Sequence, residues 1–166
     1  MTEINKENQQ QNAEHNFHGA ARILMVCTGN TCRSPMAAAL ARHHMPWAEV
    51  LSAGTATVAG LPASIGAMDA MQHFGLSIDD HASRPLNQYL LEDADLVLTM
   101  TEGHKQAILN FMPEAAGKVF TLGEFAGTDE DIPDPFGSSA EEYIRCAKAL
   151  EALVLAVAEK CKPSEE

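Results

Sequence analysis

A thiol and a guanidinium lie six residues apart in this sequence, at Cys27 and Arg33. The backbone N–H groups between them can wrap a tetrahedral oxyanion, since concave turns of successive N–H groups bind anions. Arg33 adds a permanently charged fork that matches two oxygens of a phosphate group. A thiol beside a cation reacts readily as the thiolate. We therefore expect Cys27 to be a nucleophile that attacks phosphorus, with Ser34 placed to donate a proton to its sulfur.

The residues on either side of this segment predict a strand, a tight loop and a helix. Residues 23–26 are apolar and partly β-branched, as in a buried strand, and an alanine-rich stretch follows the loop. Gly29 and Asn30 can adopt the positive φ angles of a tight turn, and Pro35 suits a first helical turn. A cysteine alone at a strand end is usually a small buried hydrophobic residue. Its combination with a guanidinium in a loop before a helix favours an anion site instead.

Strands and helices alternate along the rest of the chain. Apolar runs predict three further strands, near residues 49–53, 94–100 and 118–122. Helical spacing of apolar residues predicts helices at residues 34–45, 63–74 and 139–162. Such alternation predicts a parallel sheet with helices on both faces. Ligands of such sheets bind at the carboxyl ends of the strands, where the loop at residues 27–34 and the long connection at residues 123–138 belong.

Cap signals add detail to two of these helices. Thr101 is a suitable N-cap for a helix in which Ala107, Ile108 and Phe111 should face inward. Ser139 and Glu142 form a capping-box pattern at the start of the last helix.

The composition is typical of one globular domain with an acidic balance. The 166 residues are 46% hydrophobic and 20% charged, and the formal net charge of −12 argues against nucleic-acid binding. Residues 1–20 are polar, so we predict a disordered tail, then a single domain at residues 21–162 and a short C-terminal tail at residues 163–166. Neither a signal-peptide core nor a membrane-spanning run is found, and the cysteines suggest no disulfide framework. We expect a cytoplasmic protein without membrane contact.

The segment from Cys27 to Met36 resembles the signature loop of the low-molecular-weight protein-tyrosine-phosphatase family, and residues 134–137, Asp-Pro-Phe-Gly, resemble its general-acid loop. Further matches are residues 52–55, 81–86 and 94–100, so that the likeness runs from about residue 22 to residue 162. The resemblance implies a three-layer, flavodoxin-like α/β fold. Its four-stranded parallel sheet would have the order 2-1-3-4, with the phosphate-binding loop after strand 1.

The resemblance also implies a role for each residue of the site. Cys27 would form a phosphocysteine, Arg33 would bind the phosphoryl group, and Asp134 would protonate the leaving group and then activate water. Because Asp134 must be protonated while Cys27 is ionised, we expect a bell-shaped pH profile; Asp131 is a reserve candidate for the acid. The predicted substrate-binding residues are Thr28, Gly29, Asn30, Thr31, Cys32, Ser34 and Phe136.

Two residues have less certain roles. The family reading makes Cys32 a redox guard that forms a reversible disulfide with Cys27, and a buried loop thiol is an equal alternative. Arg84, in the match at residues 81–86, is expected to support the site from behind.

The choice of substrate depends on a few departures from the tyrosine phosphatases, in which position 31 is usually larger and aliphatic. Thr31, the pair Phe136-Gly137 and residues 100–106 resemble the bacterial protein-arginine phosphatases instead. A Thr31 hydroxyl could accept a hydrogen bond from a phosphoguanidinium, and Phe136 could stack on its plane; alternatively, Thr31 only shapes the loop. Phosphoarginine hydrolysis is the preferred prediction.

Other functions remain as alternatives or are excluded. A tyrosine phosphatase is the second prediction, and a phosphate-binding module without turnover is a weaker one. Arsenate reduction is excluded because the sequence has none of the additional cysteines that it requires near residues 80–90. Nucleotide binding is excluded because no nucleotide-binding glycine motif occurs. The predicted partners are a phosphorylated protein and inorganic phosphate as product, with no metal or other cofactor, and the oligomeric state is left open.

Overall fold

Four parallel strands form the centre of the molecule. They are β1 (Arg22–Cys27), β2 (Glu49–Gly54), β3 (Leu96–Thr99) and β4 (Val119–Thr121), in the order β2-β1-β3-β4. Ile23 of β1 pairs with Val50 on one side and with Leu96 on the other. The computed structural model describes residues 17–164, and within them it confirms the predicted parallel sheet and its order. Residues 1–16 of the tail predicted at residues 1–20, and the last two residues of the chain, lie outside this description.

Helices cover both faces of the sheet. They are α1 (Arg33–His44), α2 (Ile65–His73), α3 (Gln88–Asp93), α4 (Glu102–Phe111), α5 (Leu122–Ala126) and α6 (Ala140–Cys161), with a 3₁₀ turn at Pro113–Gly117. Ile23 and Met25 of β1 pack with α1, α2, α5 and α6, whereas Leu24 and Val26 pack with α3 and α4. This alternation of side chains along β1 produces the three layers. Among the helices of residues 17–164, none combines the length and apolar character that crossing a membrane requires.

The short helix α5 was not predicted. It follows β4 directly and begins with a capping box, in which the Thr121 side chain accepts from the Glu124 N–H and the Glu124 carboxylate accepts from the Thr121 N–H. The box predicted at Ser139 is only half present: Ser139 accepts from the Glu142 N–H, while the Glu142 carboxylate pairs with Arg145. The connection from β4 to Asp134 therefore begins with a short helix whose N-terminus is stabilised by the capping box of Thr121 and Glu124.

The inward face predicted for α4 was right at Ile108 and wrong at Ala107 and Phe111. Ala107 is exposed and Phe111 is 64% exposed, whereas His104 and Ile108 are the buried residues of this helix. His104 and Ile108 are four residues apart and so lie on the same face. The buried face therefore presents an imidazole toward the carboxyl end of the sheet.

The packed chain begins earlier than the predicted boundary at residue 21. Phe17 is 5% exposed, and its ring meets those of Phe120 and Phe125 edge-on at centroid distances of 5.7 and 5.6 Å. The Gly19 N–H donates to the carbonyl of Cys161, at the end of α6. Residues 17–20 are thus part of the domain.

Candidate active site

The loop between β1 and α1 brings a thiol and a hydroxyl together. Cys27 is the last residue of β1, and Arg33 is the first residue of α1. The Cys27 Sγ lies 2.8 Å from the Ser34 Oγ, and both residues are buried. The end of the strand and the first turn of the helix therefore hold the predicted nucleophile against a hydrogen-bonding partner.

Asn30 organises this loop from within. It has a φ of 56° and no exposed surface, a conformation that asparagine adopts more readily than most residues. Its Oδ1 accepts from the backbone N–H of Arg84 at 3.0 Å, and its Nδ2 donates to the Oγ atoms of Ser34 and Ser52 at 2.8 and 2.9 Å. The Oδ1 atom and both hydrogens of Nδ2 are thus engaged in hydrogen bonds.

These contacts decide which atom donates between Ser34 and Cys27. A backbone N–H can only donate, so Arg84 fixes the orientation of the Asn30 amide. The Asn30 Nδ2 then donates to Ser34, which leaves the Ser34 hydroxyl proton directed to the Cys27 sulfur. A sulfur that accepts this hydrogen bond is stabilised as the thiolate.

Two histidines hold the loop from opposite sides. The His81 Nε2 lies 2.7 Å from the carbonyl oxygen of Asn30, and the His104 Nε2 lies 2.7 Å from the Thr28 Oγ1. Burial lowers the pKa of both histidines; the pKa of His81 is raised in part by its backbone contact, and the pKa of His104 is lowered further by Arg33. Both imidazoles are therefore neutral at pH 7, so each ring has one donor and one acceptor nitrogen.

The end of β2 passes close beneath the same loop. The N–H groups of Thr55 and Ala56 donate to the carbonyls of Cys27 and Thr28 at 2.9 and 3.0 Å. A Cβ atom at Gly54 would lie only 2.5 Å from the Thr28 carbonyl oxygen. A residue without a side chain is therefore needed here.

Arg33 connects the loop to the predicted acid. Its side chain is 7% exposed; its Nη1 donates to the carbonyl of Ile132 at 3.0 Å, and its Nη2 lies 3.7 Å from the Asp134 Oδ2. The Ile132 N–H in turn donates to the Met100 carbonyl after β3. The structure therefore places the guanidinium and the Asp134 carboxylate at one site, with the acid 53% exposed at its mouth.

Asp131, the reserve candidate, has a different environment. Its Oδ1 accepts from the Glu102 N–H at 2.9 Å, at the first residue of α4. A carboxylate in this position stabilises the start of a helix. This contact favours Asp134 over Asp131 as the acid.

Thr31 borders an open groove, and Phe136 is largely exposed. Thr31 and Gly29 line an open groove of about 510 Å³, whose other wall consists of uncharged residues of the connection after β2, namely Ala56, Thr57, Val58 and Leu61. Phe136 is 72% exposed, and its N–H donates to the Asp134 Oδ1. A stacking role for the Phe136 ring stays a prediction.

Cys32 belongs to a ring of three polar groups. Its Sγ donates to the Ser64 Oγ at 3.2 Å, the Ser64 hydroxyl donates to the Tyr143 hydroxyl at 3.3 Å, and the Tyr143 hydroxyl lies 3.5 Å from the Cys32 Sγ. Burial, followed by the Cys32 contact, raises the pKa of Tyr143. The Tyr143 hydroxyl therefore keeps its proton. Neither Cys27 nor Cys32 forms a disulfide.

Several residues of the site carried no assigned role in the sequence. They are Ser52, Ser64, His81, His104 and Tyr143. Ser52 and His81 occur in segments that matched the family, but their contacts with Asn30 depend on chain segments that meet only in the fold. The backbone N–H of Arg84 supports the site through Asn30, and a supporting role for its side chain stays a prediction.

The model of a family described as low molecular weight phosphotyrosine protein phosphatase matches residues 22–165 of the chain. The chain belongs to this family. A protein-arginine-phosphatase from Geobacillus stearothermophilus is 45% identical over 146 residues, which are 87% of this chain and 98% of that protein. The predicted resemblance to the arginine-phosphatase branch is thereby confirmed.

Solved structures of both kinds of phosphatase are similar to this one. A mutant of YwlE arginine phosphatase with a phosphorylated active-site serine has a TM-score of 0.80 and 39% identity, over 83% of this chain and 93% of that one. A low molecular weight protein tyrosine phosphatase from T. tengcongensis has a TM-score of 0.83 and 39% identity, over 85% and 99%. The protein is therefore a phosphatase of this family, with a fold that the two kinds share.

Proposed function

We propose that this phosphatase hydrolyses phosphoarginine in proteins through a phosphocysteine intermediate. The observation that carries the choice of substrate is the position of Thr31, whose side chain lines the groove beside the anion loop. A polar residue there suits a leaving group that carries N–H donors. The relatives named protein-arginine phosphatases support this choice.

In the first step, the Cys27 thiolate attacks phosphorus in line with the leaving nitrogen. The loop N–H groups and Arg33 stabilise the charge of the phosphoryl oxygens, and Ser34 stabilises the thiolate. Asp134, 3.7 Å from Arg33, gives its proton to the departing guanidine. The phosphorylated serine in a mutant of YwlE supports a covalent intermediate.

In the second step, Asp134 acts in the opposite sense. Its carboxylate takes a proton from a water molecule, which attacks the phosphocysteine and releases inorganic phosphate and the Cys27 thiolate. The exposed position of the Asp134 side chain supports this role, because water can reach it directly.

The proposal for Thr31 is tested with two matched phosphopeptides, one with phosphoarginine and one with phosphotyrosine. We expect kcat/KM to favour phosphoarginine by about tenfold or more, because an unpaired buried donor costs roughly 1–3 kcal/mol. Thr31→Ile should move this ratio toward phosphotyrosine. Thr31→Ser, which retains the hydroxyl, should keep the preference, and Cys27→Ser is the blank.

Each other outcome has a definite meaning. A preference for phosphotyrosine in the parent protein would leave the thiol chemistry intact and make the protein a tyrosine phosphatase. An equal loss of preference in Thr31→Ser and Thr31→Ile would assign to Thr31 only the shape of the loop. Phosphate binding without turnover of either peptide would identify a binding module.

We further propose that Cys32 protects Cys27 during oxidation. A hydroperoxide would oxidise Cys27 to the sulfenic acid, and the Cys32 thiol would attack this sulfur, releasing water and forming a disulfide. The Tyr143 and Ser64 hydroxyls hold Cys32 by hydrogen bonds.

This role is tested by inactivating the protein with hydrogen peroxide and then adding a thiol reductant. Activity should return in the parent protein and should return far less in Cys32→Ser, in which Cys27 proceeds to irreversible oxidation states. Cys161→Ser, which removes a buried thiol at the end of α6, is the matched control. Equal recovery in all three proteins would contradict the guard role.

A further inference from the structure

A second concave site lies behind the catalytic loop. It is a half-open pocket of about 510 Å³, and its polar lining consists of Arg42, Ser52, Ser77, Asp80, His81 and Arg84. The open groove beside Gly29 and Thr31 has a different lining, so the two openings are separate. The volume is in the range of small-molecule sites.

The charges of this pocket favour an anion. Arg42 and Arg84 carry two positive charges, and Asp80 carries one negative charge. His81 adds no charge at pH 7, because burial lowers its pKa. The pocket is therefore net positive within a chain whose formal charge is −12.

The two guanidiniums are close enough to affect one another. Burial lowers the pKa of Arg42, Asp80 raises it, and Arg84 lowers it. Within residues 17–164, neither guanidinium forms an ion pair with a carboxylate; the Arg42 Nε donates to the Val50 carbonyl at 3.0 Å. Two neighbouring guanidiniums that repel each other are stabilised by an anion between them.

The lining of this pocket is also joined to the catalytic loop through Asn30. The Ser52 Oγ accepts from the Asn30 Nδ2, the His81 Nε2 contacts the Asn30 carbonyl, and the Arg84 N–H donates to the Asn30 Oδ1. Three of the six polar lining residues therefore hold the residue that orients Ser34. An occupant of the pocket would contact groups that position the nucleophile.

We propose that this pocket is a second anion site, which binds a phosphate-bearing small molecule between Arg42 and Arg84. The hydroxyls of Ser52 and Ser77 supply further hydrogen bonds to the phosphate oxygens. Because the site shares Asn30 with the catalytic loop, binding at the two sites is coupled, and each ligand changes the affinity of the other by the same factor.

The test separates the two sites by NMR. The catalytic loop is first saturated with a non-hydrolysable aryl phosphonate. Its binding is monitored through the backbone N–H signals of residues 27–34. Inorganic phosphate is then added while the side-chain Nε–H signals of Arg42 and Arg84 are recorded, with sodium chloride at the same ionic strength as a reference. We expect a saturable shift of both arginine signals. Glycerol 3-phosphate, used in a parallel titration, distinguishes an organic phosphate from the free ion by its relative affinity.

Two charge-matched variants make the result specific. Arg84→Gln keeps the backbone N–H that orients Asn30 and removes the guanidinium, so the dissociation constant read at Arg42 should rise by about tenfold or more. Arg145→Gln, an exposed residue of α6 that pairs with Glu142, loses the same charge and should leave this constant unchanged.

Other results would overturn the proposal. They are the absence of any arginine shift, a shift that chloride reproduces, and an equal weakening in Arg84→Gln and Arg145→Gln. The same titration tests the proposed function separately. If the phosphonate does not shift the signals of residues 27–34, the catalytic role of this loop is contradicted, and the arginine signals still report on the second pocket.

Discussion

At the scale of single residues, the acid assignment depends on the surroundings of two neighbouring carboxylates. Asp134 lies 3.7 Å from the Arg33 guanidinium and is half-exposed at the mouth of the site. Asp131 is occupied with the first N–H of α4. Their side chains are identical, so only position separates a group that can exchange protons with a substrate from one that caps a helix.

We predict that Asp134→Asn lowers kcat on a phosphopeptide by about 10²–10⁴-fold, which is typical of losing a general acid. The fall in activity at high pH, which reports deprotonation of the acid, should disappear from the pH profile. The loss should be smaller with an aryl phosphate whose leaving group needs no proton. Steady-state kinetics across a pH series measures all three effects.

Asp131→Asn is the matched control, because asparagine can still accept from the Glu102 N–H. It should retain both limbs of the pH profile. If this variant loses the high-pH limb and Asp134→Asn keeps it, the two roles are reversed.

At the scale of elements, the close contact of β2 with the catalytic loop constrains one backbone position. A Cβ atom at Gly54 would lie 2.5 Å from the Thr28 carbonyl oxygen and 2.9 Å from the Thr57 Cγ2. Thr28 follows the nucleophile directly, and its carbonyl also accepts from the Ala56 N–H. Relief of this contact must move either the strand end or the loop.

We predict that Gly54→Ala destabilises the fold by about 1–3 kcal/mol, as overpacking does, and lowers kcat/KM by about tenfold or more, since small displacements of reacting groups are costly. Urea denaturation and phosphopeptide kinetics measure the two effects. Gly117→Ala, where an added Cβ meets nothing within 4 Å, should change the unfolding free energy by less than about 0.5 kcal/mol. Equal effects in the two variants would contradict the constraint.

The elements that sequence predicted best are those with local signals. The strand, loop and helix around Cys27 are contiguous, and the apolar run, Gly29, Asn30 and Pro35 each agree with them. Helix α5 was missed although Thr121 and Glu124 form a capping-box pattern, because five helical residues show no periodicity and the pattern overlaps the end of β4. The order of the strands came from the family resemblance, since periodicity says nothing about which strands are neighbours.

The support of the site was less predictable than its reacting groups. The role of His104 depends on which face of α4 meets the sheet. The predicted inward set of Ala107, Ile108 and Phe111 was right only at Ile108 and did not include His104. Asn30 forms hydrogen bonds with Ser52, which is 22 positions away in the sequence, and with His81, which is 51 positions away. Such contacts carry no local signal, whereas Cys27 and Arg33 lie in one short segment.

At the scale of the whole molecule, the first described residues close the domain. Phe17 completes an aromatic cluster with Phe120 of β4 and Phe125 of α5. The ring centroids of Phe120 and Phe125 are 5.4 Å apart. Gly19 binds the last turn of α6 through the Cys161 carbonyl. A segment that composition assigned to the tail thus contacts β4, α5 and the end of α6.

We predict that Phe17→Ala lowers the unfolding free energy by about 3 kcal/mol or more, the usual cost of removing a buried ring. It should leave kcat/KM at low temperature nearly unchanged, because the rings that Phe17 meets belong to β4 and α5 and not to the catalytic loop. Deletion of residues 1–20 should destabilise the protein by at least as much as Phe17→Ala. Urea denaturation of the three proteins measures this, with Tyr89→Ala, a change at a 70% exposed ring, as the control. If the deletion of residues 1–20 is as stable as the parent protein, the domain begins at residue 21, as its composition indicated, and the aromatic cluster contributes no stability through Phe17.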